Sequence, residues 1–112
     1  MSAENIATAL KSDRWQNRVA ALKIIKKKGL EIKQFQAYPR LLTSPYITER
    51  YWIVRTLANS RNPATYRDIL SFLNDTHPNV LSMALYALGE RGNKNAINKI
   101  IPIIETSNDW YS

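Results

Sequence analysis

The 112-residue sequence contains no cysteine, which excludes disulfide bonds, thiol catalysis and thiolate metal sites together. The same absence favours a reducing compartment. The first residues, MSAENIATALKSD, lack a basic region followed by an apolar core. We therefore expect no secretory signal and take the cytoplasm as the compartment.

Histidine, glycine and paired acidic residues are also scarce. The single histidine, His77, has no second histidine or cysteine with which to bind a metal, and we interpret it as a solvent-exposed turn residue. The three glycines form no phosphate-binding loop. None of the nine acidic residues forms the close pair that glycosidases or two-metal enzymes need. We therefore expect no catalytic residue, metal site or cofactor, and we favour a non-enzymatic protein.

No apolar segment of the sequence is long enough to predict a membrane span. The uncharged stretch VLSMALYALG at 80–89 is too short, because a helix needs about 20 apolar residues to cross a bilayer. We expect this helix to be buried against protein on most of its sides.

The balance of charge is basic, with 16 Lys and Arg against nine Asp and Glu and a formal net charge of +7. Such a charge suits an acidic protein partner, nucleic acid or an anionic membrane surface. The densest basic run, Lys26–Lys28, directly precedes Gly29. This pattern is typical of a helix C-terminus with a glycine cap, and it is equally compatible with a binding patch.

A repeat of about 31 residues is the strongest pattern in the chain. The stretches 12–29, 44–61 and 75–92 align at offsets of 32 and 31 residues, and the segments between them share the same register. Small, aromatic or aliphatic residues recur at matching positions with the spacing of a helical stripe. The aligned sets are Ala21, Ile53 and Ala84; Ile25, Leu57 and Leu88; Ala3, Phe35, Tyr66 and Ile97; Ile6, Tyr38, Ile69 and Ile100; Ala9, Leu41, Phe72 and Ile103; and Leu10, Leu42, Leu73 and Ile104.

Each repeat unit is predicted to be a first helix (A), a short turn and a second helix (B). Ser44–Pro45, Asn62–Pro63 and the segment 75–78 resemble helix N-termini. Pro39 and Pro102 fall within A helices and should bend or shorten them. We predict an all-α fold, a right-handed α-solenoid of about three and a half repeats that forms one domain over 1–112. Its units are approximately 2–29, 31–61, 63–92 and an incomplete 94–112.

The segment PNVLSMALYALGERGN at 78–93 resembles the second helix of the HEAT-like repeats found in phycobilisome bilin lyases. One residue departs from that pattern: Leu81 stands where the family has arginine, although the first two units carry Arg18 and Arg50 there. The resemblance covers nearly the whole chain and is specific for the fold. The matching residues are Pro78, Val80, Ala84, Ala87, Leu88, Gly89 and Gly92.

The resemblance leaves three functions open. Most simple HEAT proteins bind other proteins along the inner face, which implies a scaffold or chaperone-like module, and we favour this. Bilin lyases hold a protein substrate and a tetrapyrrole, so bilin is implied only under that alternative. HEAT-like DNA glycosylases bind nucleic acid on the inner face with a catalytic aspartate. The predicted inner-face positions here contain no acidic residue apart from Glu49 and Glu90 at helix ends, so we rank nucleic acid below protein.

The predicted partner-binding groove consists of B-helix positions outside the buried stripe. Tryptophan, tyrosine, methionine and arginine at such positions are typical of a protein-binding hot spot, and an acidic partner would suit the added lysines. The alternative is that Tyr51 and Trp52 fill the space between B helices, and for Met83 and Leu85 such packing is favoured. The register places Val19, Ala20, Leu22, Lys23, Lys26, Tyr51, Trp52, Val54, Arg55, Ser82, Met83, Leu85 and Tyr86 along this face. The candidate site residues are Lys23, Lys27, Tyr51, Trp52, Arg55, Met83 and Tyr86.

The fourth unit has an A helix over 95–106 and only the start of a B helix, SNDWYS. A solenoid normally ends in a capping unit, so we expect a truncated gene product or a fragment. The predicted consequence is an exposed end, with Trp110 and Tyr111, that self-associates or binds a partner.

Overall fold

The computed structural model describes residues 2–92, and within this range every regular element is a helix. The predicted all-α class is therefore confirmed. One 3-10 helix spans Ile32–Gln34 and another spans Phe72–Asn74. The helices are α1 (Ala3–Leu10), α2 (Trp15–Lys28), α3 (Tyr38–Leu41), α4 (Ile47–Leu57), α5 (Ala64–Ser71) and α6 (Pro78–Glu90).

The three predicted B helices are α2, α4 and α6, and α4 packs between the other two. Helix α4 contacts α2 on one side and α6 on the other, and α1 packs against α2. Helix α5 contacts both α4 and α6. No helix within residues 2–92 is long and apolar enough to cross a membrane, and α6, which contains the uncharged stretch, packs on α4 and α5 instead.

Three of the six predicted core sets are buried throughout the described residues. The other three are only partly buried: Ala3 is exposed, and Ala9, Leu42, Tyr66 and Leu73 are half-buried. Every residue in the two aligned B-helix sets is fully inaccessible to solvent. The A-helix set that begins with Ile6 is buried as well. Burial of each large aliphatic side chain contributes about 1.5–3 kcal/mol, so these positions account for much of the stability of the helix stack. The residues are Ala21, Ile25, Ile53, Leu57, Ala84, Leu88, Ile6, Tyr38 and Ile69.

The end of α2 confirms the helix-cap interpretation of the lysine run. Lys26–Lys28 form the last turn, and Gly29 follows in the left-handed conformation with φ of 68°. Cations in this turn complement the helix dipole, and glycine adopts positive φ without a steric penalty. Whether the same lysines also bind a partner stays a prediction.

Helices α4 and α5 begin later than the predicted N-termini at Ser44–Pro45 and Asn62–Pro63; α5 begins at Ala64, with Pro63 at the cap position. Helix α4 begins at Ile47 rather than Pro45, because the Ser44 hydroxyl accepts a hydrogen bond from the Tyr46 N–H at 3.1 Å and holds a turn ahead of the helix. His77 is half-buried rather than fully exposed, and its Nδ1 accepts a hydrogen bond from the Asn79 N–H at 3.2 Å. The histidine therefore caps α6, which is a structural role.

The A helix of the second unit is broken, as the position of Pro39 predicts. Only a 3-10 turn and the four-residue α3 form between residues 32 and 41. Proline lacks an N–H and is tolerated at the start of a helix, and here it lies in the first turn of α3. Pro102 lies outside the described residues.

Two arginine–carboxylate pairs connect consecutive units. Arg18 donates to Glu49 through Nε at 2.5 Å and Nη2 at 3.0 Å, and Arg50 donates to Asp75 through Nε at 2.8 Å. The Glu49 side chain is only 1% exposed and that of Asp75 only 8%. The hydrogen bond to Glu49 raises the pKa of Arg18. Each of these ion pairs is buried or nearly buried, and each joins two different repeat units.

The same arginines also bind the turn of their own unit. Nη1 of Arg18 donates to the Ser12 carbonyl oxygen at 2.7 Å, and Nη1 of Arg50 donates to that of Ser44 at 3.2 Å. Each guanidinium therefore fixes the turn before its own B helix relative to the following unit. In the third unit Leu81 takes this position and is buried.

Candidate functional site

A groove runs between α4 and α6, with a cavity volume of about 660 Å³. The two helices are neighbouring B helices, so the groove lies on the side of the molecule that the sequence predicted to bind a partner. One residue of α2 also reaches it. The lining residues are Lys26, Ile47, Thr48, Tyr51, Arg55, Ala58, Asn59, Asn79, Ser82, Met83, Tyr86 and Glu90.

Four of the seven candidate groove residues meet in this cavity. Tyr51 and Arg55 project from α4, and Met83 and Tyr86 project from α6. Tyr86 is 56% exposed, whereas Met83 is buried and forms part of the floor. The packing role favoured for Met83 is thus compatible with a place in the groove wall.

Trp52 lies beside the groove, at the contact between α2 and α4. The Lys23 ammonium is 5.1 Å from the centre of the indole ring, and the Arg55 guanidinium is 4.7 Å from it. The edge of the Tyr51 ring approaches the same indole at 5.8 Å between ring centres. Cations at such distances are attracted to the electron-rich face of tryptophan. Trp52 therefore holds two cations close together near the groove.

Three residues that the register assigned to the groove are buried in the core instead. Val19 is 5% exposed, and Leu22 and Val54 are fully buried. The prediction was wrong for these positions because a B helix contacts its neighbouring B helices as well as its own A helix. Only a narrow stripe is then left to face solvent.

The lysines at the end of α2 are divided between two environments. Lys26 lines the groove, whereas Lys27 is exposed and is not among the groove-lining residues. Lys23 does not line the groove, and its ammonium contacts Trp52 beside it. A partner-binding role for Lys23 and Lys27 stays a prediction.

Ile47, at one end of the groove, was not among the predicted groove positions, whereas Glu90, at the other end, was expected at the end of its B helix. Ile47 lies in the first turn of α4 and is 43% exposed, next to Tyr46, whose ring stacks on Trp15 at 5.5 Å. Glu90 is the last residue of α6 and lies at the other end of the groove. The available signal was an isoleucine outside the buried stripe, which the predicted start of α4 at Pro45 obscured.

The predictions for the fourth unit lie outside the described residues. They comprise the A helix over 95–106 and the exposed end with Trp110 and Tyr111.

Helix pairs recurring about every 31 residues, with a groove between successive second helices, define a helical-repeat protein. The chain belongs to the HEAT repeat family, because the family model described as HEAT repeats matches residues 36–112. No curated protein and no solved structure matches the chain. The family match confirms the HEAT-like part of the resemblance, and the phycobilisome lyase type stays a prediction. HEAT repeats commonly mediate protein–protein interactions.

Proposed function

We propose that this protein is a non-enzymatic interaction module, a scaffold or chaperone-like protein, that binds a segment of a partner protein in the groove between α4 and α6. The observation that carries the proposal is the groove itself, in which exposed Tyr86 and Ile47 face a shared cavity with Arg55. Tyrosine and arginine are enriched among the residues that dominate binding energy at protein interfaces.

The dimensions and composition of the groove support a peptide-sized ligand. A volume of about 660 Å³ lies within the usual range of ligand sites, about 300–1,000 Å³. Met83 supplies a flexible apolar floor, and such side chains adapt to different partner shapes. The groove is open along its length, which suits a chain segment better than a small molecule that must be enclosed.

The finer architecture belongs to the same proposal. We take the helix pairs to stack as a right-handed solenoid of about three and a half repeats, with one domain over 1–112 and units at 2–29, 31–61, 63–92 and 94–112. The contacts of α4 with both α2 and α6 support this arrangement. In it, the B helices would line a continuous inner face. Self-association through Trp110 and Tyr111 is a further element of the proposal.

Kinship with bilin lyases is the alternative, supported only by the sequence pattern around α6. Under this alternative the chain would act with bilin as a lyase subunit. Co-expression with bilin distinguishes the two: a lyase subunit is expected to carry visible absorbance, and a scaffold to remain colourless while retaining its protein partner.

Replacing Tyr86 with alanine is expected to weaken peptide binding about tenfold or more. The side chain is more than half exposed, so truncation removes a groove contact and changes the free energy of unfolding by less than about 0.5 kcal/mol. The measurement is fluorescence anisotropy with peptides enriched on the wild-type protein from a displayed random library.

The matched control is Arg67→Ala, an exposed position on α5 away from the groove. It should bind the same peptides as the wild type does. Enriched peptides that bind Tyr86→Ala and wild type equally well would show that the groove is not the binding site.

A further inference from the structure

We propose that the segment bound in the groove is an acidic peptide with apolar residues at one end, an inference that rests on the proposed function. Its apolar residues would lie near Ile47, at the start of α4, and its carboxylates near Arg55, close to the end of α4. Three features of the described residues support this proposal. Most acidic side chains are bound inside the protein, the cations at the groove have no acidic partner within residues 2–92, and the two ends of the groove carry different kinds of side chain.

Most acidic side chains of the described residues are already bound within the protein. Two of them form the arginine pairs between units, and a third accepts the hydroxyl hydrogen bond of a buried tyrosine at 2.5 Å. A fourth accepts hydrogen bonds from a serine hydroxyl at 2.7 Å and from backbone N–H groups. The two ion-paired carboxylates already neutralise Arg18 and Arg50, so neither is available to the cations at the groove. The four acidic residues are Glu49, Asp75, Asp68 and Glu31.

Glu31 illustrates how firmly these carboxylates are held. Burial alone would raise its pKa, but hydrogen bonds from the Ser60 hydroxyl and from the N–H groups of Arg61, Lys33 and Asn62 outweigh burial and lower the pKa. A carboxylate stabilised in this way in its charged form is not available to neutralise lysines on the surface.

The cations at the groove have no acidic partner within residues 2–92. Two ion pairs occur in this range, and neither includes Lys23, Lys26 or Arg55. Contact with the Trp52 ring restrains Lys23 and Arg55 before any ligand arrives. Less side-chain entropy is then lost on binding a carboxylate, and arginine binds carboxylates with two parallel hydrogen bonds.

The opposite end of the groove carries no charged side chain: Ile47, Thr48 and Asn79 line it, and Ile47 is 43% exposed. Tyr46, next to the groove, is also 43% exposed and stacks on Trp15. Arg55 follows Ile47 by eight positions along α4, which corresponds to a rise of about 12 Å along the helix axis. An extended peptide of about four residues spans that distance. The groove therefore presents an exposed apolar side chain, Ile47, at one end and cations at the other, within the reach of one short segment.

This distribution fits a peptide better than a nucleic acid. A nucleic-acid backbone needs cations along its whole path, because each phosphate contact adds to affinity. Here the cations lie together at one end, and the remaining length is lined by uncharged side chains that include Ile47, Tyr51 and Met83. The competing account is that Arg55 and Lys26 only complement the dipoles of the helices they terminate.

The test uses the full chain and peptides selected from a displayed random 12-residue library. We expect enriched peptides to carry several Asp or Glu, and versions with these changed to Asn and Gln to bind at least tenfold more weakly. Arg55→Glu is expected to weaken binding of the acidic peptides about tenfold or more, and Lys23→Glu to weaken it in the same direction. The charge-matched control, Arg67→Glu on α5, should leave affinity within about twofold. Thermal unfolding of each variant confirms that it is folded.

The outcomes separate this inference from the proposed function. If the selected peptides lose affinity on Tyr86→Ala but are neutral or basic, the proposed acidic partner is wrong and the groove remains the binding site. The same conclusion follows if peptides with Asn and Gln in place of Asp and Glu bind equally well. Peptides insensitive to both Tyr86→Ala and Arg55→Glu would overturn both. Arg55→Glu that changes only the unfolding temperature supports the dipole account and contradicts the inference. Tight binding of single-stranded DNA that competes with the peptides would favour nucleic acid and also contradict it.

Discussion

Replacing Arg18 with alanine is expected to lower the free energy of unfolding by about 3 kcal/mol. The change leaves the carboxylate of Glu49, whose side chain is 1% exposed, without its charged partner. Removal of one member of a buried pair typically costs about 3–5 kcal/mol, whereas exposed pairs contribute about 0–1 kcal/mol. We place the effect at the lower end because the Arg18 side chain is itself 16% exposed, and the hydroxyl of Ser44 still donates to Glu49. Urea-induced unfolding measures the change.

The control for this variant is Arg14→Ala, an exposed arginine immediately before α2. Its cost should stay below about 0.5 kcal/mol. The double variant Arg18→Leu/Glu49→Leu should recover much of the loss, since both charges are then absent. If Arg18→Ala destabilises the protein no more than Arg14→Ala does, the pair does not connect the units as described.

Leu22→Ala is expected to destabilise the protein by about 3 kcal/mol. The side chain is fully buried, and truncation of a buried leucine leaves a cavity that typically costs about 2–5 kcal/mol. The variant separates two assignments of the same residue, since a groove-lining leucine would cost far less on truncation. Denaturant unfolding of the variant and the wild type is sufficient to distinguish them.

Lys27→Ala is the control for this experiment, since it truncates an exposed side chain on the same helix. It is expected to change the free energy of unfolding by less than about 0.5 kcal/mol. A loss below about 1 kcal/mol for Leu22→Ala would mean that α2 does not pack against its neighbours through this residue.

The helical stripes could be predicted from the sequence because the repeat aligns residues that perform the same packing role. Ala21, Ile53 and Ala84 occupy matching places in three units, and all three are buried. The glycine cap at Gly29 could also be predicted from the sequence, because basic residues followed by glycine indicate a helix end regardless of tertiary contacts.

The groove was only partly predictable because its boundaries depend on how neighbouring helices meet. Periodicity separates buried from exposed faces but does not show that a B helix has neighbours on two further sides. Leu22 and Val54 therefore seemed free to line the groove, although both are fully buried.

The partners in the polar bonds between units could not be predicted from the sequence. Glu49 pairs with a residue 31 positions away, and Glu31 accepts hydrogen bonds from backbone groups near residue 61. No local pattern encodes such partners. The recurrence of Arg18 and Arg50 at the same repeat position was the one available signal.

The central claim is that the face between α4 and α6 binds a partner segment. The most direct measurement is an ¹⁵N–¹H correlation NMR titration of the protein with the tightest peptide selected on it. The account predicts that amide shifts change within residues 47–59 and 79–90, while those of α5, Ala64–Ser71, stay within the noise. Shifts that are largest on α1 or α5, with 47–59 and 79–90 unchanged, would contradict it.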